Sequence, residues 1–150
     1  MLRSRVIRWQ LLLVLFLLPM AVLAQTSPVG KWKTMDDKTG KPKSIVEIYQ
    51  ATDGSLSGKV LQVLQSDKGP HPVCDQCEGE RKDKPVEGMK IVWDVKHNGD
   101  AWDGGSILDP KNGKIYSVKL QPSADGKTME VRGFLGFSLL GRSQTWTREP

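Results

Sequence analysis

The sequence predicts an all-β protein, a single closed barrel of eight antiparallel strands in up-and-down order. Two observations lead to this fold class. Short segments alternate apolar and polar side chains, the period of a half-buried strand. Asp-Gly or Asn-Gly pairs begin at residues 53, 98, 112 and 125, and turns spaced by about a dozen residues are typical of a barrel or sandwich. Closing the barrel removes the exposed strand edges that promote aggregation.

Residues 89–121 form the predicted centre of the fold, an antiparallel meander of three strands. The first strand places four apolar side chains on one face: Met89, Ile91, Trp93 and Val95. Asn98-Gly99 supplies the positive φ angles of a tight hairpin, and a second strand covers 101–108. After a turn at 109–113, the third strand directs one face inward through Tyr116, Val118 and Leu120.

Five further strands are predicted on both sides of this meander, at 29–34, 44–50, 56–64, 128–133 and 142–148. Gly58 inside the third strand of the chain indicates a bulge or a sharp bend. Residues 65–88 break the alternation and contain both cysteines. Long irregular loops are uncommon in compact domains and are often functional, so this Cys-containing loop is a candidate site.

The first 24 residues have the pattern of a Sec-type signal peptide. Arg3, Arg5 and Arg8 form the basic start, residues 11–18 are apolar, and cleavage is expected after Ala24. The apolar run over 9–24 is shorter than the ~20 residues of a spanning helix, so no transmembrane segment is expected after cleavage. The sequence therefore predicts a periplasmic or secreted protein with one domain at 25–150.

The charge balance argues against a nucleic-acid partner. Three of the 22 basic residues belong to the leader, which leaves 19 basic against 17 acidic residues, a net charge of +2. Lys and Arg are scattered along the remaining chain and are not interleaved with aromatic residues. The sequence also has no phosphate loop, dinucleotide-binding fingerprint or metalloprotease motif. We therefore expect no nucleic-acid partner, no cofactor and no enzymatic activity.

Gly30-x-Trp32 on the first strand, together with Arg148 on the last, resembles the lipocalin and wider calycin signature. The resemblance implies that Trp32 closes the floor of the barrel. It also implies that Arg148 packs across the indole and bonds to the backbone of the first strand. A cation over an indole face contributes ~0.5–2 kcal/mol when partly desolvated. All three residues are therefore expected to be structural.

A second resemblance covers almost all of the chain after the leader. The motifs that carry it occur in this order: Gly30-x-Trp32, Cys74-x-x-Cys77, Trp102-x-Gly104-Gly105, Ile107-Leu108-Asp109-Pro110, Gly133-Phe134-Leu135-Gly136 and Leu140-Gly141-Arg142-x-x-x-Trp146-x-Arg148. In these motifs the sequence is similar to DUF2147, a family of small exported bacterial proteins with a lipocalin-like fold and no established activity. The resemblance implies fold and export, and it supplies no reaction.

Cys74 and Cys77 allow three interpretations. In an oxidising compartment the two thiols are expected to pair and to pin the loop. A redox role would place the pair at a helix start, and this pair instead follows Pro70 and Pro72. A metal site would use His71 with both thiolates, but structural zinc requires four ligands.

The leading functional prediction is the binding of a small apolar or amphipathic molecule, such as a lipid, inside the barrel. The apolar segment 134–141 is either a plug or a lip over the ligand mouth. The alternative is a filled, ligand-free barrel that contacts an envelope protein in an interaction or stress role. A cavity in the barrel distinguishes the two. The predicted ligand-binding residues are Trp93, Val95, Tyr116, Val118, Phe134, Phe137 and Leu139.

Overall fold

A computed structural model describes residues 26–137 and 140–150. These residues form one closed barrel in which each strand pairs antiparallel with the next and the last strand pairs with the first. A short 3-10 helix, Gly79–Arg81, lies between β3 and β4. The strands are β1 Gly30–Met35, β2 Pro42–Gln50, β3 Leu56–Val63, β4 Lys90–Asn98, β5 Ala101–Asp109, β6 Lys114–Pro122, β7 Thr128–Phe134 and β8 Gly141–Arg148.

The fold class predicted from sequence is confirmed, and every predicted strand lies within two residues of an observed one. Gly58 lies at a register irregularity between β3 and β4, as its position predicted. A Cβ on Gly58 would lie 2.7 Å from Ile48 Cδ1, so the glycine keeps space for a buried neighbour. In the part of the chain described here, no helix has the length and apolar character needed to span a bilayer.

β4 requires a correction to the predicted alternation. Val92 and Val95 are both fully buried although they are three residues apart, and Asp94 between them has φ +60°. Trp93 does not share the inner face with Val95, because its indole packs under the guanidinium of Arg81, 4.7 Å away. The left-handed residue shifts the alternation by one position, so Trp93 leaves the set of inward side chains.

One end of the barrel is closed by Trp32 and Arg148. Trp32 is fully buried, and its indole Nε1 donates a hydrogen bond to the Pro28 carbonyl at 2.8 Å. The Arg148 guanidinium lies 4.1 Å from the Trp32 ring centroid and donates to the carbonyls of Val29 and Ser27 at 2.9 and 3.0 Å. The floor contact implied by the calycin resemblance is therefore present.

Closely packed side chains fill the half of the barrel next to this floor. Side chains from five strands fill it, and all of them are at most 2 % exposed: Val46, Ile48, Leu56, Val92, Val95, Val118, Leu120 and Met129. Burying one such side chain contributes roughly 1.5–3 kcal/mol by transfer from water. These packed side chains support the other half of the barrel, where the strand ends and four connections surround an open space.

Candidate functional site

A cavity of about 820 Å³ occupies the open end of the barrel. It is bounded by the connection between β1 and β2, the long loop between β3 and β4, the turn between β5 and β6, and the segment between β7 and β8. Because consecutive strands run up and down, these four connections meet at the end opposite Trp32. The cavity is therefore the natural candidate site.

One wall of the cavity is apolar. Val60 and Ile91 on this wall are 1 % and 5 % exposed, so the wall is part of the packed core. Its side chains come from four strands, β3, β4, β5 and β7, and from the long loop, and they present no hydrogen-bonding groups. They are Val60, Val63, Val86, Ile91, Ile107, Leu108 and Val131.

The opposite wall is a polar strip on β1, β2 and β8. Thr34 Oγ1 and Ser44 Oγ are 2.7 Å apart. A single hydrogen bridges them, which leaves the other hydroxyl hydrogen available to a ligand. Trp146 Nε1 donates to Gln144 Oε1 at 3.2 Å, and Gln144 Nε2 donates to Asp37 at 3.0 Å. The strip is continuous because β1 pairs with both β2 and β8.

Charged groups of both signs surround the mouth. Arg142 pairs with Asp37, and Lys111 Nζ lies 3.2 Å from Asp67 Oδ2. A hydrogen bond from the backbone N–H of Thr39 is the main cause that holds the pKa of Asp36 below its ordinary value. Asp36 therefore remains ionised under mildly acidic conditions.

The Cys-containing loop forms part of the cavity wall. Cys74 and Cys77 are joined in a disulfide, and both are buried. Cys74 Sγ lies 3.3 Å from the Pro110 carbonyl oxygen, so the bridge packs on the β5–β6 turn. Val86 N donates to the Pro72 carbonyl at 3.0 Å, and Val86 in turn contacts the cavity. The disulfide thus fixes a loop that the barrel uses as a wall.

The disulfide also bears on the metal interpretation of the Cys loop. Both sulfurs are bonded to each other, so they supply no thiolate ligand. His71 is exposed, with Nδ1 3.6 Å from Glu87 Oε2. Within residues 26–137 and 140–150, no group of three or more His, Cys, Asp or Glu side chains is placed to hold a metal ion.

Removing the disulfide is expected to lower the free energy of unfolding by about 2 kcal/mol, the chain-entropy value for so short a closed loop. The measurement is urea unfolding of the Cys74→Ser/Cys77→Ser variant beside the oxidised protein. Reduced wild-type protein should match the variant, and reductant should leave the variant unchanged. Equal stability of the oxidised protein and the variant would contradict the pinning role.

The predicted ligand-binding residues divide into three groups. Tyr116 and Phe134 line the cavity. Phe137 is 79 % exposed at the rim, and Leu139 lies outside the described residues. The predicted placement of the remaining three requires correction, because Trp93, Val95 and Val118 do not line the cavity. Val95 and Val118 belong to the filled half of the barrel, and Trp93 lies beneath Arg81.

Sequence reasoning missed the polar strip. Thr34 and Gln144 each lie two residues from a buried tryptophan on the same strand, Trp32 and Trp146. Period two therefore directs both polar side chains inward. A polar residue at a predicted inward position was the sequence signal for the strip. A search for apolar residues alone does not detect this signal.

A closed up-and-down barrel with a sealed floor and a cavity at the opposite end defines the class of lipocalin-like proteins. Residues 30–148 match the family model described as "Uncharacterized protein conserved in bacteria (DUF2147)", and the chain belongs to this family.

A solved structure, protein HP1028 from Helicobacter pylori, is described as belonging to the lipocalin family. It is similar with a TM-score of 0.71 and 18% identity, over 83% of this chain and 84% of that one. At this identity the likeness shows the fold alone. A search of curated proteins gives no match.

Proposed function

We propose that the protein binds a small amphipathic molecule in the cavity, after export to the periplasm or the outside of the cell. The observation that carries the proposal is the division of the 820 Å³ cavity into an apolar wall and a facing polar strip. Ligand pockets commonly have volumes of about 300–1,000 Å³ and few polar groups. The size suits a lipid-sized molecule, and the two walls favour a ligand with an apolar face and a hydrogen-bonding face.

The apolar part of the ligand would lie on the β3–β7 wall. Each buried CH₂ contributes roughly 0.8 kcal/mol, so a chain of about six contributes roughly 5 kcal/mol before the cost of immobilisation. A hydroxyl, amide or carboxylate on the ligand would face Thr34, Ser44 and Gln144. A purely apolar ligand would leave the second hydroxyl hydrogen of the Thr34–Ser44 pair without an acceptor, and that loss disfavours it.

We propose that this binding is the function, without catalysis and without a cofactor. The cavity argues against the alternative of a wholly filled barrel, although the half near Trp32 is filled. An interaction with an envelope component is compatible with ligand binding, because Leu135, Phe137 and Leu140 are exposed at the mouth. The proposed leader lies in residues 1–24, outside the described residues.

Native mass spectrometry of protein purified from the periplasm tests the proposal, with a denatured sample measured in parallel. Additional mass of lipid size that leaves on denaturation would support binding and would identify the ligand. A bare chain that also fails to take up any amphiphile from a cell lipid extract would overturn the proposal.

A cavity-filling substitution gives a sharper test, and Gly133 is the position for it. A Cβ there would make only ordinary contacts, 3.6 Å from Tyr116 Cβ and 3.8 Å from Ile107 Cγ2. The leucine of Gly133→Leu would occupy space for about four ligand carbons, or roughly 3 kcal/mol of burial. We expect the affinity for the fluorescent probe 1-anilinonaphthalene-8-sulfonate to fall at least tenfold, measured by titration.

Thr145→Leu is the matched control for the cavity-filling variant. It adds the same side chain at an exposed position of β8, on the outer face between Gln144 and Trp146. This control should bind the probe like the wild type, and both variants should keep the wild-type melting temperature. Unchanged binding in Gly133→Leu would place the ligand elsewhere.

A further inference from the structure

The exposed apolar side chains of the barrel are concentrated at its open end. Among the described residues, eight large apolar side chains are exposed, of which Val29 lies beside the floor and Leu61 on the outer face of β3. Large contiguous apolar patches are rare on monomeric soluble proteins and mark sites of contact. The six at the mouth are Leu64, Val73, Ile115, Leu135, Phe137 and Leu140.

The most exposed of these side chains form a lip, defined here as Leu135, Phe137 and Leu140 of the segment between β7 and β8. They are 59 %, 79 % and 74 % exposed. Leu135 and Leu140 also line the cavity. The lip therefore presents apolar side chains both to the exterior and to the cavity. Apolar side chains held in this position favour a neighbouring apolar phase over water.

The charges beside the lip indicate which partner covers it. The β1–β2 connection is the neighbour of the lip, because Arg142 and Gln144 both bond to Asp37. Residues 36–43 and 134–142 together carry four basic and two acidic side chains, and no Asp or Glu occurs from 131 to 148. The opposite rim, residues 64–88, carries six acidic and four basic side chains. The apolar side of the mouth is thus the basic side.

We propose that the open end docks, lip side first, onto the surface of an anionic lipid bilayer. The three lip side chains insert at the boundary between headgroups and acyl chains, and Lys38 and Lys41 face the lipid phosphates. Combined insertion of apolar side chains and attraction of basic ones is the physical basis of interfacial binding. The acidic rim at 64–88 tilts away from the surface. Docking stands on the exposed surface and does not require an occupied cavity.

Vesicle flotation tests the docking, with purified exported protein and vesicles of phosphatidylcholine with or without phosphatidylglycerol. We expect the protein to float with the phosphatidylglycerol vesicles and less with phosphatidylcholine alone, and we expect salt to weaken the binding. Phe137→Ser should lower the bound fraction at least fivefold, and Lys38→Gln/Lys41→Gln should remove most of the preference for phosphatidylglycerol.

Val29→Ser is the matched control, because Val29 is an exposed apolar residue beside the floor, where its carbonyl accepts from Arg148. It should float like the wild type, and circular dichroism should show Phe137→Ser to be folded. Docking would be overturned by the absence of flotation, or by equal flotation of Phe137→Ser and the wild type. A dimer that dissociates in Phe137→Ser while no vesicle binds would show that the lip contacts a second copy of the chain, and this too would overturn the proposal.

Discussion

Replacing Trp32 with alanine is expected to lower the free energy of unfolding by about 3–5 kcal/mol, the usual cost of deleting a buried tryptophan. The indole is fully buried, donates a hydrogen bond to Pro28 and lies under the guanidinium of Arg148. Its loss opens a void in the floor and removes the ring against which Arg148 packs. Urea unfolding followed by circular dichroism measures the effect.

Two further variants separate the contributions of Trp32. Trp32→Phe keeps much of the ring volume and loses the hydrogen bond to Pro28, so a smaller loss of about 1–2 kcal/mol is expected. Trp93→Ala removes an indole that is only partly buried against the edge of the core, and it should also cost less than Trp32→Ala. A loss below about 1 kcal/mol for Trp32→Ala would show that the floor is held by other contacts.

Gly105→Ala is the second substitution with a large expected effect, a loss of about 3 kcal/mol or more. A Cβ at Gly105 would lie 2.3 Å from the Trp93 carbonyl oxygen and 2.6 Å from the Val95 nitrogen. These are backbone atoms of β4, so they cannot rotate away as a side chain can. The methyl group therefore forces β4 and β5 apart, and urea unfolding should report the loss.

The adjacent Gly104 provides the control. It has φ +77°, and a Cβ there would meet no atom within 4 Å. Gly104→Ala therefore incurs only the left-handed backbone penalty of about 1–2 kcal/mol. If the two variants lose equal stability, the close approach of β4 to Gly105 does not determine the strand spacing.

Most of the fold could be predicted because its signals are local. Period-two alternation lies within the strands and Asp-Gly or Asn-Gly pairs mark four of the turns between them, so the eight strands were located from the sequence. The face on which Trp93 lies could not be predicted from the sequence, because the positive φ of Asp94 occurs where the β4 backbone meets Gly105. That contact joins two strands, and neither strand shows it alone.

The site was less predictable because its depth depends on summed side-chain volumes. Tyr116 and Val118 are on one strand and face one side, yet only Tyr116 reaches the cavity. The depth at which the packed side chains give way to the cavity is set by residues from many strands, including Ile48 and Met129. No short stretch of the sequence contains all the side chains whose volumes determine this depth. The polar strip was accessible in principle through Thr34 and Gln144, whose inward positions follow from alternation.

The closed end has a practical consequence for how the protein can be handled. Thr26 and Pro150, the first and last described residues, both lie at this end, where Thr26 Oγ1 donates to the Ser123 carbonyl at 2.8 Å and Glu149 N to the Lys31 carbonyl at 2.9 Å. A linker, affinity tag or sensor chip joined at the carboxyl end therefore leaves the mouth unobstructed. A layer of molecules immobilised in this way would present every cavity outward, in one common orientation.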